Sequence, residues 1–154
     1  MEAGQGCESG RRPGSAAAPA SSRRSSGGAG GRLLRAALLL TGEPADAAEA
    51  AERLLTRALA RTYAAWDRLG GEDPYDHTRR ELAAAFARTA RRYRHARGGV
   101  LERLTPQERL VLVLRLHEGI AEEQAAACLG LSVERVRVIC TRSVAAMRSR
   151  RAAS

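Results

Sequence analysis

The sequence predicts an all-α protein, in which an N-terminal three-helix module is followed by a C-terminal helix-turn-helix domain, with a disordered tail ahead of both. Apolar residues recur at three- and four-residue steps along several long stretches, as they do on the buried face of a helix. Prolines and glycines stand where those stretches begin and end. We place the tail at residues 1–31, the three-helix module at 32–97 and the helix-turn-helix domain at 98–154.

Residues 1–31 consist mostly of glycine, serine, alanine, proline and arginine. A segment that can bury so little is expected to be disordered. The first helix is then predicted from about Arg32 to Leu40. Thr41-Gly42 ends it, because glycine readily adopts the left-handed conformation of a helix C-terminus.

A turn at residues 43–46 leads into a long second helix that reaches about Arg68. Its predicted apolar stripe comprises Ala51, Leu54, Leu55, Ala58, Leu59, Thr62, Trp66 and Leu69. Gly70-Gly71 breaks this helix, and residues 72–74 begin a third, which spans about Tyr75 to His95. The third helix is rich in alanine and has few large side chains, so we expect it to be weakly packed.

Thr105 is predicted to begin the first helix of the C-terminal domain, because Pro106 follows it and Glu108 stands three positions on, which makes a capping box. Gly119 is predicted to end this helix. The residues between are apolar almost throughout, so we expect burial on most sides of the run made by Leu110, Val111, Leu112, Val113, Leu114 and Leu116.

A short helix is predicted from about Ala121 to Leu129, followed by Gly130 and by Ser132, whose hydroxyl can cap a longer helix. A short helix, a glycine-containing turn and a longer helix are the parts of a DNA-binding helix-turn-helix. The inward stripe of the longer helix is predicted at Val133, Val136, Cys140, Ser143, Val144 and Met147.

The outward face of that helix is the candidate DNA-binding surface. Residues near the start of such a helix reach base edges, whereas arginines farther along meet phosphates. The predicted DNA-binding residues are Ser132, Glu134, Arg135, Arg137, Val138, Thr141, Arg142, Arg148, Arg150 and Arg151. A solvated arginine face on an ordinary helical hairpin is the alternative.

Positive charge is concentrated in two segments. Residues 79–97 hold seven arginines and one acid, and residues 132–154 hold six arginines and one acid. Localised charge of this kind favours a polyanion such as nucleic acid. Acidic membrane lipid is the competing polyanion, and we weigh it lower because neither segment has the aromatic and leucine-rich face of an interfacial helix.

Nothing in the sequence indicates catalysis. Its three cysteines show no CxxC pairing, which argues against a zinc site or a disulfide framework and for a reducing cytoplasm. The three histidines are scattered and interpreted as solvated, the acidic pair Glu122-Glu123 as an exposed helix start, and Tyr63 and Trp66 as core. We therefore expect no enzyme, no metal, no cofactor and a cytoplasmic location.

Residues 104–115 (LTPQERLVLVLR) and 126–137 (AACLGLSVERVR) resemble the promoter-reading domain of bacterial RNA polymerase sigma factors of the extracytoplasmic-function type, particularly the small actinobacterial kind. Residues 34–42 and 50–68 resemble the part of that family that docks on polymerase. The resemblance implies promoter DNA and core RNA polymerase as partners, and it allows an anti-sigma factor. It also implies polymerase contacts at Glu52, Leu54, Leu55, Thr56 and Ala58.

The chain departs from the family's pattern in both halves. Arg53 and Thr56 replace an acid and a glutamine on the polymerase-binding helix. Ala84, Thr89 and Ala90 stand where the family has an asparagine and paired tryptophans that help to open the promoter, so weak promoter opening is predicted.

Two other functions fit the same residues. LuxR-type regulators have an output domain that begins with a similar Leu-Thr-Pro-x-Glu-Arg run, so a helix-turn-helix regulator without polymerase binding is the second hypothesis. The third is an interaction module, a remnant of such a factor, that does not bind DNA.

Overall fold

The computed structural model describes residues 28–96 and 98–152, with side chains described as far as Ser149. All regular secondary structure in these ranges is helical, which confirms the predicted all-α class. The helices are α1 (Ala29–Thr41), α2 (Glu49–Ala64), α3 (Pro74–Thr89), α4 (Pro106–Leu112), α5 (Glu122–Leu129) and α6 (Val133–Ala152). Short 3₁₀ segments lie at Ala45–Ala47, Trp66–Arg68 and Ala90–Tyr93, and a π turn at Val113–His117 extends α4.

Helix α1 starts earlier than predicted, at Ala29, because helical hydrogen bonding already begins at the carbonyl of Gly28. Residues 29–31 therefore belong to the helix and not to the tail. The rest of the predicted tail, residues 1–27, lies outside the described residues. The predicted end of α1 is confirmed, since Gly42 has a φ of 70° and its N–H donates to a carbonyl in the last turn.

Helix α2 is capped from outside, because the Glu43 carboxylate accepts a hydrogen bond from the backbone N–H of Ala51 at 2.9 Å. The buried face of α2 consists of Ala51, Leu54, Ala58 and Thr62. The predicted apolar stripe is wrong on its outer side, because Leu59 is 48% exposed and Trp66 57% exposed. Tyr63, which we interpreted as core, is 81% exposed. Three large apolar side chains of this segment therefore face solvent.

Helix α3 lies at the centre of the fold, in contact with α1, α2, α4 and α5. It is not weakly packed as expected, because its inward residues are all buried: Thr78, Leu82, Ala83, Ala85 and Phe86. Alanine side chains let neighbouring helices approach closely, so a few large side chains are enough to fill the space between them. The helix ends at Thr89, earlier than predicted, and the ring of Tyr93 in the following 3₁₀ segment stacks on Phe86 with a centroid distance of 5.4 Å.

The start of α4 is as predicted. The Thr105 hydroxyl accepts from the Glu108 N–H at 3.3 Å, and the Glu108 carboxylate accepts from the Thr105 N–H at 2.9 Å. The π turn that follows presents Leu116 to solvent, so the predicted burial of that residue is wrong. Gly119, with a φ of 71°, lies two residues after His117, the last residue of this helical stretch.

Within the described part of the chain, the helices on both sides of the predicted boundary at residues 97 and 98 share one apolar core. Helix α1 contacts α4 and the π turn, and α3 contacts α4 and α5. The three-helix module and the helix-turn-helix therefore pack against each other directly.

Arg109, on α4, is buried inside this core with 0% of its surface exposed. Its Nη1 donates to the Leu40 carbonyl in the last turn of α1 at 2.6 Å, and its Nη2 donates to the Tyr93 carbonyl. The guanidinium carbon lies 5.9 Å from the ring centroid of Phe86. A cation is favourable beside the carbonyls at the end of a helix. Burial lowers the pKa of the Arg109 guanidinium.

A second polar contact between the two halves is centred on Glu118, whose side chain is 1% exposed. The Tyr75 hydroxyl donates to the Glu118 carboxylate at 2.7 Å, and Arg79 Nη1 lies 4.0 Å from the same oxygen. Burial and this hydrogen bond raise the pKa of Tyr75. Arg32 donates to the backbone carbonyls of His117 and Glu118 at 3.0 and 3.2 Å. These contacts fix the end of the π turn against α1 and α3.

Candidate nucleic-acid interface

The turn between α5 and α6 has the chemistry that the sequence predicts. Gly130 ends α5 with a φ of 64°, and the Leu131 N–H donates to the Ala126 carbonyl at 3.0 Å. The Ser132 hydroxyl accepts from the Arg135 N–H at 3.2 Å, which confirms the predicted cap of α6. Because so few residues separate the two helices, this turn holds α6 at a set angle to α5.

Helix α6 packs on α4 and α5 through its inward stripe. All six predicted members of the stripe are buried or partly buried: Val133, Val136, Cys140, Ser143, Val144 and Met147. Ile139 is also buried and was missed, although it follows Val136 by three positions, a step that places both on one face of a helix.

The opposite face of α6 is exposed, as predicted. The candidate DNA contacts whose side chains are described are all solvent-exposed or partly so: Ser132, Glu134, Arg135, Arg137, Val138, Thr141, Arg142 and Arg148. The side chains of Arg150 and Arg151 lie outside the described residues. Arg135, Arg142 and Arg148 form no ion pair with any described residue, so their guanidinium groups are available to an anion.

Arg137 differs from the other arginines on this face. Its Nε and Nη2 donate to one carboxylate oxygen of Glu122 at 3.1 and 2.9 Å, and this hydrogen bonding raises the pKa of the Arg137 guanidinium. Glu122, interpreted from the sequence as only an exposed helix start, also lies 3.8 Å from Arg115. The ion pair joins α6 to the first turn of α5. A phosphate contact by Arg137 would have to compete with it.

Two of the five residues implied as polymerase contacts are enclosed in the core. Leu54 is 3% exposed and Ala58 is 0% exposed. Leu55 packs partly against the core, and Glu52 and Thr56 are exposed. A direct contact from Leu54 or Ala58 is therefore inconsistent with this structure, and the accessible part of α2 lies on its other side.

Two of the three histidines, and both cysteines of the described residues, are partly buried. His95 is exposed, as predicted. His77 and His117 are partly buried instead, because His77 Nδ1 lies 3.0 Å from the Thr62 hydroxyl and His117 Nε2 lies 3.0 Å from a carbonyl of α1. Cys128 and Cys140 are free thiols whose pKa values are raised by burial. No cluster of metal-ligating side chains occurs in residues 28–96 and 98–152. None of the helices in those ranges is long and apolar enough to cross a membrane.

The short α5, the tight glycine turn and the longer α6 together form a helix-turn-helix, the arrangement that many DNA-binding domains use. Residues 100–149, which span the end of the linker through most of α6, match the family model for sigma-70, region 4. This part of the chain is thus similar to sigma-70 region 4, the part of sigma factors that binds the −35 element of promoters. Helices α1, α2 and α3 lie outside the match. No curated protein and no solved structure matches the chain.

Proposed function

We propose that this protein is a transcription initiation factor of the sigma type, and more narrowly of the extracytoplasmic-function kind, that binds core RNA polymerase through α2 and reads an upstream promoter element through α6. The outward face of α6 carries the proposal. It is exposed and follows a tight turn whose serine caps the helix, and most of its described arginines form no ion pair with a described acidic residue. It also lies inside the stretch that matches region 4, whose role in sigma factors is to bind DNA.

Two kinds of arginine on α6 should behave differently. Arg135 and Arg142 can reach base edges, so Arg135→Ala should cost about 1–3 kcal/mol of binding free energy on the preferred duplex and relax base discrimination there. Arg148 lies farther along the helix, where phosphates are the expected contact. Arg148→Ala should weaken binding to all sequences alike and lower the salt slope by about one unit, because one phosphate is no longer neutralised.

Fluorescence anisotropy of the full chain measures both effects. The duplexes are a preferred sequence, selected from a random pool, and its scrambled form, at several salt concentrations. Glu134→Ala is an internal control, because an acid beside phosphates is costly unless it accepts from a cytosine amine. Its replacement should therefore raise general affinity or change base preference. Equal effects of Arg135→Ala and Arg148→Ala on both duplexes would reject base reading by α6.

The polymerase-binding surface is proposed on the exposed side of α2. We define the α2 stripe as five exposed residues that recur at three- and four-residue steps from α2 into the 3₁₀ segment after it: Glu52, Thr56, Leu59, Tyr63 and Trp66. Its three apolar members line an open groove together with residues of α1 and α3. An exposed apolar surface of this kind commonly marks a binding site on a soluble protein.

Replacing Tyr63 and Trp66 with serine tests the α2 stripe. Both side chains are exposed, so the double variant should keep its helical circular dichroism and its affinity for DNA while losing co-purification with core RNA polymerase. Arg57→Ser is the matched control, because Arg57 is exposed on α2 but lies outside the stripe. A folded double variant that still captures polymerase would reject this surface.

The burial of Leu54 and Ala58 is the observation that favours the second candidate, a helix-turn-helix regulator without polymerase binding. A parent protein that binds duplex DNA but never co-purifies with core polymerase would support that candidate. A parent protein that binds neither would support the non-DNA-binding interaction module.

Promoter opening is expected to be weak. The Thr89 hydroxyl already donates to the Ala85 carbonyl at 2.8 Å, and Ala84 and Ala90 have no side chain that could hydrogen-bond or wedge a base. Transcription should therefore be low on a fully duplex promoter and rise on a pre-melted one. Equal output from the two templates would contradict this expectation.

The proposed function requires promoter DNA and core RNA polymerase as partners. An anti-sigma factor is a further proposed partner that rests on the family resemblance. The function involves no enzymatic chemistry and no cofactor, and it places the protein in the cytoplasm, where polymerase works.

A further inference from the structure

The C-terminal end of α3 carries arginines that have no acidic partner among the described residues. Arg88 lies in the last turn of α3, Arg91 and Arg92 lie in the 3₁₀ segment Ala90–Tyr93, and Arg94 follows it. All four side chains are exposed, and none forms an ion pair with a described residue.

Arginines near the start of the same helix are neutralised. Arg79 pairs with Asp76 at 2.9 Å, and Arg80 pairs with Glu72. Glu81 is itself paired with an arginine of α2, at 3.5 Å. The unpaired positive charge of this segment is therefore confined to its C-terminal end.

That end of α3 lies beside the turn that leads into α6. Ala87 and Ala90 line an apolar cleft together with Leu129 and Leu131. Leu131 immediately precedes Ser132, whose hydroxyl caps α6. The backbone of Arg88 and Arg91, which are next to Ala87 and Ala90 in the sequence, therefore lies near the N-terminus of the helix proposed to read DNA.

Core contacts hold the 3₁₀ segment that follows α3 in place. Arg109 donates to the carbonyl of Tyr93, which lies in this segment together with two of the four arginines, and the Tyr93 ring stacks on Phe86. Helix α3 also contacts α4 and α5 directly. The arginines and α6 are thus carried by one packed body.

We propose that Arg88, Arg91, Arg92 and Arg94 and the outward face of α6 form one continuous surface that binds a single DNA duplex, with these four arginines contacting backbone phosphates beside the base pairs that α6 reads. The inference rests on the proposed function. A recognition helix enters the major groove with its N-terminal residues, so the phosphates that border the groove pass beside that N-terminus. The planar, always charged guanidinium group is well suited to phosphate.

A duplex fits this surface better than a single strand. Proteins that hold single strands offer aromatic rings on which successive bases stack. The aromatic residue among these arginines, Tyr93, is already stacked on Phe86. Because these arginines have no free aromatic ring beside them on which a base could stack, we expect them to contact backbone phosphates alone.

The test compares two double variants of the full chain that remove the same charge. Arg91→Ala with Arg94→Ala removes two arginines of the proposed surface. Arg57→Ala with Arg68→Ala is the matched control, because both residues are exposed, form no ion pair with a described residue and lie on or just after α2. Binding to a duplex selected by the parent protein is measured by anisotropy at several salt concentrations, and the DNA backbone positions that the protein covers are mapped by hydroxyl-radical footprinting.

The Arg91 and Arg94 variant should reduce the slope of log affinity against log salt by about two units, at about 0.9 for each phosphate that is no longer neutralised. It should also show no protection at the phosphates on one flank of the site while the base preference stays unchanged. The control should keep the parent's slope and footprint. If circular dichroism shows that the first variant is misfolded, Arg88→Gln with Arg92→Gln repeats the test.

An unchanged slope and footprint in the surface variant would overturn this inference and leave the proposed function standing. Equal changes in both double variants would also overturn it, because they would show general electrostatics and not a defined surface. A parent protein that binds no duplex at all would overturn the proposed function, and this inference with it.

Discussion

Replacing Arg109 with alanine should destabilise the whole fold, although Arg109 is a charged residue in a chain rich in exposed arginines. Its side chain is fully buried and donates to carbonyls at the ends of two separate helical segments, Leu40 in α1 and Tyr93 after α3. Both carbonyls lie where a helix leaves its last acceptors without partners in the helix. The guanidinium satisfies them and connects α4 to both segments.

Two effects of Arg109→Ala lower the free energy of unfolding, and one raises it. Truncating a large buried side chain to alanine typically costs about 2–5 kcal/mol. Each buried acceptor that is left without its donor adds about 1–3 kcal/mol. Removing a buried charge offsets part of this, because desolvating an ion is costly. The net decrease in unfolding free energy should be about 3–5 kcal/mol, a large fraction of the roughly 5–15 kcal/mol by which domains are stable.

Urea unfolding followed by far-ultraviolet circular dichroism measures this decrease. Arg103→Ala is the control, because Arg103 is exposed and its replacement should change stability by no more than about 0.5 kcal/mol. Arg109→Met retains most of the apolar packing but no donor. It should still be less stable by about 1–3 kcal/mol, because leaving two carbonyls unsatisfied costs more than removing the buried charge gains. A methionine variant as stable as the parent would refute the role assigned to these hydrogen bonds.

Three further substitutions test local features of the fold. Gly42→Ala should cost more than the roughly 1–2 kcal/mol of left-handed strain, because a side chain at this φ of 70° would also overlap Ala96, and an unchanged melting temperature would contradict this. Tyr75→Phe should lower the unfolding free energy by about 1.5–3 kcal/mol, because the buried Glu118 carboxylate loses a hydrogen-bond donor. Urea titration measures this change, and an unfolding midpoint equal to the parent's would contradict it. Thr105→Ala should cost about 1 kcal/mol through loss of the helix cap, which the same titration checks, and a gain in stability would rule out the cap.

Local chemistry made the helix ends predictable from the sequence. The capping box of Thr105 and Glu108 and the left-handed Gly42, Gly119 and Gly130 all lie at or within a residue or two of the predicted ends. Such signals depend on residues within one turn of each other, so the sequence displays them directly. The cap of α2 was missed because the Glu43 carboxylate accepts from the N–H of Ala51, which is eight positions away in the sequence.

Which apolar face is buried was harder to predict. Leu59, Tyr63 and Trp66 repeat at helical steps just as the core residues do, yet they face solvent. Hydrophobic periodicity identifies an apolar helix face, but it does not indicate whether that face packs against the protein's own core. Arg109 is a charged residue that nothing in the sequence placed in the core. Its burial depends on hydrogen bonds to carbonyls that are distant in the sequence.

The exposed face of α6 was predicted well because the inward stripe of the helix determines which residues face outward. Ile139 could have been added from its spacing to Val136. The ion pair of Arg137 with Glu122 joins two helices across 15 positions, and only the packing of α5 on α6 brings those residues together. The buried positions of Leu54 and Ala58 likewise depend on α2 packing against α1 and α3.

Arg109 belongs to the stretch at 100–149 that matches region 4, whereas the carbonyls that receive its hydrogen bonds, on Leu40 and Tyr93, do not. A chain cut at that boundary would keep the buried cation and lose both of its acceptors. The helices of the matched stretch therefore draw part of their folding free energy from segments that lie outside it. If α6 binds DNA as proposed, a substitution at Gly42 would lower DNA binding through the fraction of folded molecules, with no change in the intrinsic affinity of α6.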